Sequence, residues 1–127
     1  MRPHVDISFI DPQQNNLSYL KRFDGKYPNE VKLLSDKLLA KRLRVLIKNK
    51  YQFLLKTWAV ETPIEIKNNV LYAWGCQEHN CDNTNFIIAI DLKKNVVYVG
   101  IRQHDIVNTY SEDGSSNASV INWAGRK

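Results

Sequence analysis

A chain of 127 residues with 43% hydrophobic and 24% charged residues has the size and balance of one globular domain, spanning 1–127. No apolar run approaches the roughly 18 residues that cross a bilayer, which excludes an integral helical membrane protein. The net charge of +5 is unevenly placed: Lys32, Lys37, Lys41, Arg42, Arg44, Lys48, Lys50 and Lys56 stand against Asp36 alone, so that stretch carries +7 and the rest −2. Such a field attracts anions (nucleic acid, anionic lipid or an acidic partner), although a basic helix face is more often simply solvated.

At the N-terminus no signal peptide is visible. Arg2, Pro3 and His4 precede only the short alternating stretch Val5 to Ile10, which is too short for an apolar h-region. The expectation is a cytosolic chain if Met1 is the native start, or otherwise a mature exported form.

From Pro28 to Trp58 the apolar residues Leu39, Leu43, Leu46, Ile47, Tyr51 and Leu54 fall three or four apart, with Lys37, Lys41, Arg44 and Lys48 on the opposite face. This predicts an amphipathic helix, capped by Ser35 or Asp36 and split in two by a left-handed break at Asn49. Beyond Trp58 the period changes. Ile64 and Ile66 alternate with charged residues, and Asn68-Asn69 makes a tight turn into Val70 to Gly75. The β-branched runs Phe86 to Leu92 and Val96 to Ile101, then Ile106 to Tyr110, continue an antiparallel meander. In the tail, Val120, Ile121 and Trp123 offer an apolar patch that can dock on the core. The fold class is therefore α+β, a central antiparallel β-sheet of four to five strands flanked by helices.

The two cysteines bracket Cys76-Gln77-Glu78-His79-Asn80-Cys81, between two predicted antiparallel strands. That spacing suits a disulfide staple, since neighbouring strands bring the loop ends close, and closing a six-residue ring stabilises by about 2 kcal/mol in the chain-entropy model. A stapled loop has also surrendered in advance the freedom it would lose on binding. His79 near the tip offers ring nitrogens as hydrogen-bond donors to carboxylates. Two alternatives use the same residues: a zinc site of both thiolates, His79 and, as a fourth ligand, His104, or a thiol enzyme using Cys76 or Cys81 with His79. The bland alternative is a staple that merely holds a hairpin while His79 faces solvent.

At Cys76, His79 and Cys81 the chain resembles the bacterial inhibitors of vertebrate lysozyme, the Ivy-type family, whose hallmark is a disulfide-closed loop of the form Cys-Lys-Pro-His-Asp-Cys. The flanking order is similar too: Thr62-Pro63 leads into a strand, a turn, a second strand ending at the loop, and two more strands. The resemblance implies a central antiparallel sheet flanked by helices, a non-enzymatic protein that plugs the lysozyme cleft, and a loop histidine on the two catalytic carboxylates. It implies Cys76, Gln77, Glu78, His79, Asn80 and Cys81 as the target-binding loop, with a Cys76 to Cys81 bridge as its support. It also implies a periplasmic or secreted location, a lysozyme or other peptidoglycan hydrolase as partner, and admits a homodimer. Gln77, Glu78 and Asn80 depart from the family's Lys, Pro and Asp. Glu78 would bring a like charge to the two carboxylates unless it turned outward, and vertebrate lysozymes are basic, so the +7 segment would repel them unless it lay away from the loop.

No Gly-rich phosphate loop, nucleophile elbow, zinc helix or EF-hand is present, so neither a cofactor nor a metal is expected. His104-Asp105 fits a surface turn, and Trp58, Trp74 and Trp123 fit core or sheet-face positions. The alternatives to a muramidase inhibitor are an immunity protein against a wall-degrading toxin and a nucleic-acid or anionic-surface binder using helix 37–50, nucleic acid being the less expected partner.

Overall fold

The computed structural model describes residues 15–126, so the Val5 to Ile10 stretch lies outside the described residues. The segment from Pro28 to Trp58 is helical in pieces. Pro28 opens a one-turn helix, α1 (Pro28–Val31), where a missing N–H costs nothing, and the Glu30 carboxylate accepts from the Tyr27 N–H at 3.2 Å. Lys32, at φ 55°, ends α1, and a 3-10 turn (Leu33–Ser35) buries Leu33 and Leu34. Asp36, one of the two expected caps, then opens α2 (Lys37–Ile47) by accepting from the Leu39 N–H at 3.2 Å.

The break expected at Asn49 falls one residue earlier. Lys48 has φ 52° and ψ −124°, whereas Asn49 is right-handed and leads into α3 (Lys50–Thr57). Hydrogen bonding decides the position: the Lys48 N–H closes the last turn of α2 on the Arg44 carbonyl (3.0 Å), and the Lys48 carbonyl receives the Tyr51 N–H (3.1 Å). The change of direction therefore falls on the dihedrals of Lys48. On either side of it Leu39, Leu43, Ile47, Tyr51 and Leu54 are buried, as their spacing requires.

The sheet is antiparallel throughout and has six strands: β1 (Val60–Glu61), β2 (Glu65–Lys67), β3 (Val70–Cys76), β4 (Asn85–Asp91), β5 (Val96–Gln103) and β6 (Ile106–Ser111). Their order is β1-β3-β4-β5-β6, with β2 also on β3. The sheet exceeds the expected four to five strands because Thr62-Pro63 divides one edge into two short strands: Val60 pairs with Cys76 at one end of β3 and Lys67 with Val70 at the other. Pro63 has no N–H to give to a ladder. Asn68 and Asn69, at φ 52° and 65°, form the anticipated tight turn between β2 and β3.

Alternation along the strands sorts the apolar residues onto two faces. Leu71 and Ala73 of β3, Phe86, Ile88 and Ile90 of β4, and Val97, Val99 and Ile101 of β5 meet the helices α2 and α3 and a 3-10 helix over Leu17–Phe23. On the other face Ile87, Ala89 and Tyr98 meet Val120 and Trp123 of a final helix, α4 (Ala118–Ala124). The tail thus docks through Val120 and Trp123, while Ile121 stays exposed.

Candidate functional site

The loop of residues 77–84 joins β3 to β4 at one end of the sheet. Cys76 and Cys81 are disulfide-bonded across it, with Cα atoms 5.0 Å apart; Cys76 is fully buried at the end of β3. With the two sulfurs bonded to each other neither is a thiolate, so the zinc and thiol-enzyme alternatives fall away. Among the described residues no group of three or more His, Cys, Asp and Glu side chains could hold a metal ion.

Within the staple the Asn80 N–H donates to the Gln77 carbonyl at 3.0 Å, closing a four-residue turn with Glu78 and His79 at its corners. His79, the third residue of the turn, has φ 63°, the sign a type II turn requires there. Gln77 and Asn80 hold each other, the Asn80 amide donating to Gln77 Oε1 at 2.7 Å. Two of the three positions that depart from the family pattern therefore brace the turn from inside. The third, Glu78, lies beside the histidine, with His79 Nε2 3.5 Å from Glu78 Oε2, and the two side chains are 89% and 67% exposed respectively. An imidazole so placed can donate a hydrogen bond to an incoming carboxylate, and Glu78 lies nearby without closing one.

The base of the loop is fixed through Thr84, Asn85 and Arg102, which no sequence motif singled out. The Gln77 N–H donates to the Thr84 carbonyl at 3.1 Å, and the Asn85 amide to the Cys81 carbonyl at 2.7 Å. Asn85 Oδ1 in turn accepts from Arg102 Nη1 (3.0 Å) and Trp123 Nε1 (2.7 Å). Arg102 is buried, its guanidinium 4.6 Å from the centre of a Trp123 ring, and its Nη2 donates to the carbonyls of Trp123 and Arg126 at 3.0 and 3.2 Å. One sequence signal was available: Arg102 follows Tyr98 and Gly100 at alternate positions of an apolar strand, which puts it on the α4 face.

His104-Asp105 is the two-residue turn between β5 and β6, at φ 52° and 67°, and it braces the loop through its backbone. The Asp105 N–H donates to the Asn83 carbonyl at 3.1 Å, and the His104 N–H to Thr84 Oγ1 at 3.4 Å. Of the basic segment, Lys37, Lys41, Arg44 and Lys48 are exposed on α2 and at its end. Arg42 is instead a clamp, bound to the Glu112 carboxylate at 2.6 and 3.0 Å and to the side chain and carbonyl of Asn95 at 2.8 Å each. Asn95 lies in the β4–β5 turn, at the end of the sheet opposite the loop.

These features define a class: a small α+β scaffold that displays a disulfide-closed turn with an exposed histidine at its corner. The model of the family described as Inhibitor of vertebrate lysozyme (Ivy) matches residues 38–126, and the chain belongs to that family. The match runs from α2 through α4 and includes the whole loop. No curated protein and no solved structure matches the chain.

Proposed function

We propose that the protein is a periplasmic or secreted inhibitor of a lysozyme-type muramidase, which enters the active-site cleft with the loop 76–81 and sets His79 against the two catalytic carboxylates. The observation that carries this reading is the exposed imidazole on a turn held from both sides, by the disulfide and by the Gln77–Asn80 hydrogen bond. Glycoside hydrolysis of this kind needs one carboxyl as acid and another as base or nucleophile, and a donor lodged between them disables both roles. Preorganisation supplies affinity because the turn is already ordered. A disulfide belongs to an oxidising compartment, which agrees with a location outside the cytosol. On binding, Glu78 must leave the imidazole and turn to the rim of the cleft, since a third carboxylate among two others is repelled.

The test is a lytic assay of the oxidised protein against vertebrate lysozymes and secreted bacterial wall hydrolases, beside His79→Ala and a Cys76→Ser, Cys81→Ser double variant. Inhibition by the parent that falls at least ~100-fold (about 2.7 kcal/mol) in His79→Ala, with an unchanged melting temperature, is the expected result. Absence of inhibition across the panel by folded, disulfide-bonded protein overturns it.

A further inference from the structure

Lys37, Lys41, Arg44 and Lys48 succeed one another at helical spacing, forming a row about 16 Å long along α2. All four are exposed, and among the described residues none is paired with a carboxylate, the ion pairs being Arg42 with Glu112 and His79 with Glu78. Beside the row Val45 is 71% exposed, and with Leu38 and Lys41 it lines an open cavity of about 620 Å³ that reaches Asn95 and Glu112.

We propose that this face of α2 docks on an anionic lipid bilayer. Four exposed cations in a straight row match a flat surface of negative headgroups, and the exposed valine among them gives the row an apolar contact at the headgroup–acyl boundary. A single-stranded nucleic acid fits less well, because it favours exposed rings for stacking and the aromatic side chain under Arg44, Tyr51, is buried. The row shares no residue with the loop 76–81, and Arg42 anchors α2 to Asn95 at the far end of the sheet. Both surfaces can be occupied together.

Co-sedimentation of the full oxidised chain with phosphatidylcholine vesicles, with and without phosphatidylglycerol, tests the assignment, using parent, Lys37→Glu/Lys41→Glu, its neutral counterpart Lys37→Gln/Lys41→Gln, and Val45→Ser. The expected result is salt-sensitive binding to the anionic vesicles alone. Neutralising both lysines in the glutamine pair should weaken it by about 25-fold, roughly fivefold per lysine, with the charge reversal weaker still and Val45→Ser a few-fold weaker than the parent. No sedimentation with anionic vesicles, or equal sedimentation of parent and both lysine variants, overturns the proposal. So does displacement from vesicles by duplex DNA with no effect of Val45→Ser, which would make the row a phosphate-backbone site instead.

Discussion

Gly75 and Gly100 are notches cut for two tryptophans. A Cβ at Gly75 would stand 2.2 Å from the Trp58 ring, which stacks on Phe86 at 5.9 Å, and one at Gly100 would stand 2.3 Å from the Trp123 ring. Gly75→Ala is therefore expected to destabilise by about 1–3 kcal/mol, visible as a lower urea midpoint at unchanged m-value, because a packed indole cannot give way as a flexible chain end can. A second residue effect is pH-dependent. Burial, reinforced by its hydrogen bond to Asp36, holds the Tyr19 hydroxyl above the ordinary tyrosine range, and burial does the same for Tyr51, which donates to the Leu34 carbonyl at 2.8 Å. The folded state then keeps these protons more tightly than the unfolded state, so their contribution is complete below about pH 10 and is lost as pH rises above it. Urea midpoints at about pH 9 and about pH 11 should show that decline, and Tyr19→Phe should make it shallower. Neither effect was legible beforehand: the tryptophans suited core positions, but which glycine faces which ring depends on register across strands.

Among the elements, the α2–α3 junction concentrates backbone strain in a lysine. Lys48 is exposed at φ 52° and ψ −124°, a region that favours glycine, and its side chain reaches only its own helix end, with Nζ 3.5 Å from the Val45 carbonyl. Lys48→Gly should raise stability by about 0.5–1 kcal/mol, read as a higher melting temperature, despite the extra freedom given to the unfolded chain. The periodicity from Leu39 to Leu54 displayed both helices, and Asn68-Asn69 displayed the hairpin, since those patterns are local. The exact break and the division of the edge at Pro63 were hidden, because periodicity does not show which backbone groups close the last turn of α2 or where the strand pairing lapses. Arg102 is the plainest case. Its strand position was visible, but its role in tying α4 to the loop through Asn85 depends on Trp123, which lies 21 residues further along the chain.

Taken whole, the molecule has turns of opposite sign at the two ends of its sheet. At the loop end the exposed Glu78, Asp82 and Asp105 come together, joined by the bond from the Asp105 N–H to the Asn83 carbonyl. At the other end the exposed Lys67, Lys93 and Lys94 flank turns linked by the Leu92 N–H to the Asn69 carbonyl at 2.8 Å. Under the proposed function these acidic side chains favour approach of a basic target at the loop end, which the +7 segment also reaches through Lys50, whose Nζ donates to Gln103 Oε1 at 2.8 Å, while its Arg42 is neutralised by Glu112 at the opposite end. Stopped-flow association with a basic target is accordingly expected to slow several-fold in Asp82→Asn/Asp105→Asn at low ionic strength and to match the parent at high salt, where the field is screened.

The α+β class, the amphipathic α2, the hairpin turn and the short cysteine-bracketed loop are all legible in the chain, since they follow from periodicity, turn chemistry and spacing within a few residues. The folded chain was needed to show that Gln77 and Asn80 brace the turn, that Glu78 lies beside His79, that Asn85 and Arg102 anchor its base, and that Arg42 is a clamp while its neighbours face outward. The first two are set by side-chain conformation within the turn and the last two by side chains from distant strands and helices meeting at hydrogen-bonding distance, and apolar periodicity encodes neither.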